Sequence, residues 1–185
     1  MKDGVDPEQL KPDTPYVGLE HIPKMSFTLV DLGVAADVRS RKWRFEPGDV
    51  LFGRLRPYFH KVAASAVDGV CSTDAIVIRA EPGFSSLVLQ VAFSKEFVDH
   101  AVGTSGGTDR PRAKWSDLQQ FGLALPPHGL REEFSSVVDP LVRLAVNLAS
   151  QNTNLRVTRD LLLPRLVSGA VDVSDLDIDT GWLAA

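Results

Sequence analysis

The side chains with chemical potential in this sequence are mostly basic, and they come in two groups. Arg39, Arg41, Lys42, Arg44, Arg54, Arg56 and Lys61 lie in residues 39–61 against only Glu46 and Asp49, a local net charge of +5. Arg110, Arg112 and Lys114 follow the loop Gly103-Thr104-Ser105-Gly106-Gly107-Thr108. An arginine grips a phosphate, or reads a guanine edge, through two parallel N–H donors. Tyr58 adds an aromatic face in the run Arg54-Leu55-Arg56-Pro57-Tyr58. In the loop, glycines allow close backbone approach, and the hydroxyls of Thr104, Ser105 and Thr108 can donate to phosphate. These residues form the candidate surface for double-stranded DNA. A solvated strand face and an ordinary flexible connection are the plainer readings, and composition leaves both open. The Gly/Ser/Thr loop also invites a mononucleotide reading, but the phosphate-cradling pattern of Gly, four residues and Gly-Lys-Ser/Thr is absent.

Catalytic patterns are missing. His21, His60, His100 and His128 lack metal-ligand spacing, and core or surface roles are expected for them. The single cysteine, Cys71, excludes an internal disulfide and a thiolate-rich zinc site, and it reads as a small buried apolar residue. Asp74 follows Ser72-Thr73, and its carboxylate is expected to accept local backbone hydrogen bonds in a turn. None of the 24 acidic residues precedes a lysine by two positions, as common metal-dependent nucleases require. The Gly-x-Ser-x-Gly elbow is absent, as are the glycine fingerprint and Asn-Pro-Pro-aromatic signature of an adenine methyltransferase. The expectation is a non-catalytic protein with no metal or cofactor of its own.

The elements that must position these residues fall into three stretches. The chain has 185 residues, 44% of them hydrophobic and 24% charged, enough for one domain with an appendage. Its N-terminus is polar, and no apolar run is long enough for a membrane span. A cytoplasmic protein is expected. Residues 1–127 read as an α+β domain. Tyr16–Leu19, Asp49–Phe52, Val62–Ala64 and Ala75–Ile78 are short strand-like runs, with Pro47-Gly48-Asp49 as a turn. Ser85–Val102 reads as one helix. Trp115–Leu125 reads as a turn and a last strand.

Residues 128–169 read as a single long helix. Leu130, Phe134, Val137, Leu141, Leu144, Leu148, Gln151, Leu155, Thr158 and Leu162 recur at alternating steps of four and three, the seam of a coiled coil. Such a stripe needs a second helix, so a homodimer is expected. Packing on the chain's own domain is the alternative. Pro140 interrupts the run. Either it kinks one helix, or Asp139 caps a new one. The unbroken heptad phase favours a kink. Gln151 and Thr158 are polar at seam positions, where they can fix register. Residues 170–185 hold four Asp and no base, so the net charge of −4 belongs to an acidic tail.

Taken in order, several stretches resemble the DNA-specificity subunits of type I restriction–modification systems. They are Tyr16-Val17-Gly18-Leu19-Glu20-His21-Ile22, Phe45–Tyr58 with its Pro-Gly-Asp and Gly-Arg-Leu-Arg-Pro, and Ser72-Thr73-Asp74 before Ala75–Ile78. Gly103–Arg112, Trp115-Ser116-Asp117-Leu118, and Leu125-Pro126-Pro127 before the long helix complete the set. The resemblance implies a target-recognition domain joined to a spacer helix. It also implies a partner modification subunit that brings S-adenosylmethionine and methylates adenine, and a restriction subunit as a further partner. Full-length members hold two domain-plus-helix halves whose helices pair antiparallel. This chain holds one of each, which suggests a half-subunit, either a natural one that dimerises or a fragment. The rival is an interaction module that keeps the coiled coil and reads no DNA. A hydrolase or small-ligand enzyme on an α/β scaffold is disfavoured by the missing motifs.

Overall fold

The computed structural model describes residues 3–29, 31–107 and 109–171. The chain divides into two compact units, Met1–Ala149 and Ser150–Ala185.

The first unit is α+β and built in three layers. Strands β1 (Gly4–Val5), β2 (Pro15–Val17), β3 (Gly33–Val34), β4 (Lys42–Phe45) and β7 (Gly69–Cys71) form one mixed sheet. Its order is β1-β4-β7-β2-β3, and only the β2–β7 pair is parallel. Strands β5 (Val50–Gly53), β6 (Val62–Ala64) and β8 (Ala75–Ile78) form a second, antiparallel sheet in the order β6-β5-β8. Helices α1 (Ser85–Phe93), α2 (Lys95–Thr104) and the single turn α3 (Trp115–Leu118) cover its outer face.

Alternation along β5 accounts for the layering. Successive strand side chains point to opposite faces. Leu51 enters the core between the sheets with Val17, Phe45, Cys71 and Val77. Its neighbours Val50 and Phe52 enter the second core with Leu89, Phe97, Val98 and Leu118 of the helices. Both faces of β5 are therefore dry, which explains a strand with no polar alternation. Gly69 is a required glycine, since a Cβ there would lie 2.6 Å from the Pro15 carbonyl oxygen and 2.7 Å from the Phe45 ring. The β4–β5 turn takes the expected form, with Gly48 at φ +89°. Asp49 is buried and locked to Arg79 at 2.8 and 2.7 Å, and it also accepts the Glu46 N–H.

Two readings of the helical part need correction. Ser85–Val102 is two helices. Ser94 leaves helical geometry between them, accepts the Phe97 N–H and donates its own hydroxyl to the Val91 carbonyl. The expected strand in Trp115–Leu125 is replaced by α3 and irregular backbone. There Leu118, which alternation would treat as a strand residue, joins the helix-side core instead.

Helix α4 runs from His128 to Val167 without interruption, and Pro140 lies inside it. The capped-restart alternative is therefore discarded. Within the first unit, α4 lies on the domain through a stripe that includes Arg131, Ser135, Val138, Asp139, Val142, Ala145 and Ala149, all half-buried. Val142 packs against the helix-side core. The buried Ser86 hydroxyl donates to Asp139, and the Arg131 guanidinium lies 4.2 Å over the Phe84 ring. The seam is offset by one residue, about 100° around the axis. Leu130, Phe134, Val137, Leu141, Leu144 and Leu148 are all exposed. In the second unit Gln151, Leu155, Thr158 and Leu162 are exposed too, Leu155 to 67%. Within the first unit the helix does pack on its own domain, but through the half-buried stripe and not through the seam residues. Of the acidic stretch 170–185, all but Ala170 and Val171 lie outside the described residues.

Candidate nucleic-acid interface

The two basic groups are far apart in sequence and meet through backbone pairing. The Arg56 N–H donates to the Pro111 carbonyl at 2.8 Å, and the Ala113 N–H donates to the Arg54 carbonyl at 2.9 Å. Leu55 and Arg112 form an isolated bridge, and Arg112 forms a second one with Gly106. Gly107, at φ +100°, supplies the left-handed turn that this return requires. The loop is thus held against the Arg54–Arg56 segment rather than left as a loose connection.

Asp74 fastens the same segment from a third side. Its carbonyl accepts the Arg54 N–H at 2.9 Å, and its carboxylate lies 3.2 Å from the Arg112 Nε. The turn expected around Asp74 is present, but the Ser72 hydroxyl, not the carboxylate, accepts the backbone N–H.

Two hollows flank the segment. One, of about 540 Å³, is lined by Trp43, Arg54, Lys114, Trp115, Ser116 and Gln119 over residues 75–77 of β8. The other, of about 320 Å³, is lined by Leu19, Lys24, Leu55, Arg56, Phe59, Lys61 and Arg110. The Nε atoms of Arg54 and Arg56 are buried and have no hydrogen-bond partner. Among the described residues neither guanidinium is paired with a carboxylate. Arg131 Nε on α4 is in the same state, so what sets Arg54 and Arg56 apart is their place in the walls of the hollows, where a ligand oxygen can meet their unpaired charge.

Tyr58 is exposed beside this segment, on a short 3-10 turn, Pro57–Phe59. Arg56 and His60 bracket the turn, both left-handed at φ 52° and 50°. Such non-glycine backbone persists only where the surroundings fix it. Here the buried His60 ring holds the Phe93 carbonyl at 2.8 Å, and the His60 carbonyl accepts the Met25 N–H. Lys61 is half-buried and donates to the Leu19 carbonyl. Burial lowers its pKa, Glu20 opposes that shift, and Lys24 adds to it.

The remaining expected residues divide sharply. Arg110 and Lys114 are exposed and line one hollow each. The Thr104 and Ser105 hydroxyls donate to the His100 and Val102 carbonyls, so they can only accept from a ligand. Thr108 lies outside the described residues. Lys42 is withdrawn from the expected surface. It is buried, its ammonium donates to the Ser40 carbonyl and hydroxyl at 2.9 and 2.8 Å, and burial lowers its pKa. Alternation along β4 puts Arg44 on the face opposite Trp43. Arg39, Arg41 and Arg44 are exposed, and Arg41 reaches back to the Gly4 carbonyl. They line neither hollow.

Lys24, Trp43, Trp115, Ser116 and Gln119 are lining residues that sequence reasoning missed. Lys24 lies 4.3 Å over the Phe59 ring. Trp115 and Ser116 belong to a stretch that carries the resemblance, without a role of their own there, and Lys24, Trp43 and Gln119 lie outside every such stretch. His21, His60 and His100 are engaged with backbone atoms, and the Cys71 thiol is buried, its pKa pushed up to about 12. No group of three or more metal-ligating side chains occurs among the described residues, nor a helix long and apolar enough to cross a membrane.

The fold of this chain, with its long C-terminal helix, recurs in solved type I restriction–modification proteins. The chain is similar over 98% of its length to the HsdS subunit from Thermoanaerobacter tengcongensis, with a TM-score of 0.60 and 22% identity. It is similar to the same extent, with a TM-score of 0.63 and 21% identity, to a chain of a type I R-M system solved for its complex assembly and conformational transition. It spans 49% of each of those chains. Among curated proteins it is 26% identical over 117 residues to the type I restriction enzyme EcoDI specificity subunit of Escherichia coli, covering 63% of this chain and 26% of that one. It is 37% identical over 70 residues to the MjaIX specificity subunit of Methanocaldococcus jannaschii, covering 38% and 16%. No family model matches. The resemblance to type I specificity subunits, at about half the length of the solved ones, is borne out.

Proposed function

We propose that this chain is a sequence-specific DNA-binding specificity subunit of a type I restriction–modification system, with no catalysis of its own. The observation that supports this best is the Arg54–Arg56 segment, where two distant basic groups converge and both guanidinium groups keep an unpaired buried donor. A polyanion offers what those donors lack. In this reading two copies pair antiparallel through the exposed seam, crossing near Val146 and Asn147. A separate modification subunit brings S-adenosylmethionine and methylates adenine within a two-part site, and a restriction subunit can join.

Charge reversal tests the interface. Arg54→Glu with Arg56→Glu is expected to abolish retention of duplex DNA at low salt while self-association persists. Unchanged retention would reject the assignment. Normal self-association with no DNA retention by the unsubstituted chain would favour the interaction module. Mapping methylated adenines in a host carrying this gene and a neighbouring methyltransferase gene tests the symmetry. Two-part inverted motifs fit a homodimer, and asymmetric ones fit mixed halves.

A further inference from the structure

The two hollows beside Arg54–Arg56 differ in chemistry. The smaller is lined by the cations Lys24, Arg56, Lys61 and Arg110 together with Leu19, Leu55 and Phe59. Among the described residues its lining has no side-chain amide, hydroxyl or carboxylate. Its cationic side chains are donors only: they suit a phosphate and offer no acceptor to the amino group of adenine or cytosine. The larger combines Arg54 and Lys114 with the Gln119 amide, the Ser116 hydroxyl and two indoles. Gln119 is exposed, and its side-chain amide makes no hydrogen bond among the described residues. An amide both donates and accepts, and it pairs with the N6 and N7 of adenine. A guanidinium pairs with the O6 and N7 of guanine.

We propose a division of labour, which rests on the DNA-binding reading above. The hollow of Arg54 and Gln119 reads purine edges, and the hollow of Lys24, Arg56 and Arg110 holds the phosphate backbone. Gln119 is then a specificity-determining residue, although it lies outside both basic groups. Arg56 and Arg54, two residues apart, serve opposite ends of the contact. The paired backbone between them fixes their separation.

The test selects binding sequences from a pool of random duplexes with the full chain, then repeats the selection with three variants. Gln119→Ala, at an exposed position, is expected to relax the preference at one base pair by about tenfold while retention of random duplex at low salt stays within about twofold. Lys24→Ala with Arg110→Ala is expected to return the same motif, to weaken binding to every duplex, and to flatten the salt dependence by about one counterion per cation removed. Arg54→Lys keeps the charge and loses the two-pronged geometry, so it should relax the motif. An unchanged motif in both Gln119→Ala and Arg54→Lys would overturn the division, as would an altered motif in the lysine–arginine variant. Failure of the unsubstituted chain to retain any duplex would overturn the DNA-binding reading itself.

Discussion

Strand β5 and the outer stripe of α4 are both apolar, yet they meet opposite fates. All four residues of β5 are buried, two against the helices and one between the sheets. The leucines of α4 are exposed one after another, although the helix has a second stripe, one residue out of phase, that does lie on the domain. The chain had a face to bury and buried the less apolar one. Exposed apolar patches of this extent mark contact surfaces rather than cores. The comparison separates residues that hold the domain together from apolar residues that the domain leaves exposed.

Substitutions in both regions would break or sharpen that comparison. The largest effect is expected for Leu144→Glu with Leu148→Glu. Two charges per helix placed in the seam should convert the proposed dimer to monomers in light scattering, while the melting of the domain stays as it was. A mutant still dimeric would reject the seam. Next is Leu51→Ala, which empties the core between the sheets and should cost about 2–5 kcal/mol in denaturant unfolding. The same truncation at Leu141 should change domain stability by about 0.5 kcal/mol or less.

Lys42→Met should be milder. It removes a buried ammonium whose charged form the fold disfavours, so the melting midpoint should hold or rise and DNA retention should be unchanged. Lost retention would return Lys42 to the interface. The smallest effect concerns Cys71. Its folded pKa, near 12, stands above the ordinary value of 9.0, mainly through burial and then through Asp49. The folded state therefore favours the neutral thiol. Its contribution is complete below about pH 9 and is lost as the pH rises toward 12. Cys71→Ala should flatten the fall in stability across that window, measured by urea titration.

Much of this was legible from the sequence because the information was local. The strands at Asp49–Phe52, Val62–Ala64 and Ala75–Ile78 are short apolar runs between turn residues, and they fall where expected. The seam of α4 needs only its period. Most of what failed was non-local. Ser94 is the exception: its two hydrogen bonds reach three residues either way, a local cap signal that the apolar spacing of Ser85–Val102 masked. The run 39–61 looks like one basic patch, but its turn at Pro47-Gly48 carries the chain from one sheet to the other. Arg44 and Arg54 therefore end in different layers, and Lys42 ends buried. Arg54 instead gains Lys114 and Gln119, which only the pairing with residues 111–113 brings near.

The turn between Arg56 and His60 carries one more consequence. Its bend is set before any ligand arrives, by ring and backbone contacts on its protein side. If DNA binds there as proposed, the backbone under Tyr58 should lose little freedom on contact. Replacing either flanking residue with glycine would ease the backbone and soften the tip.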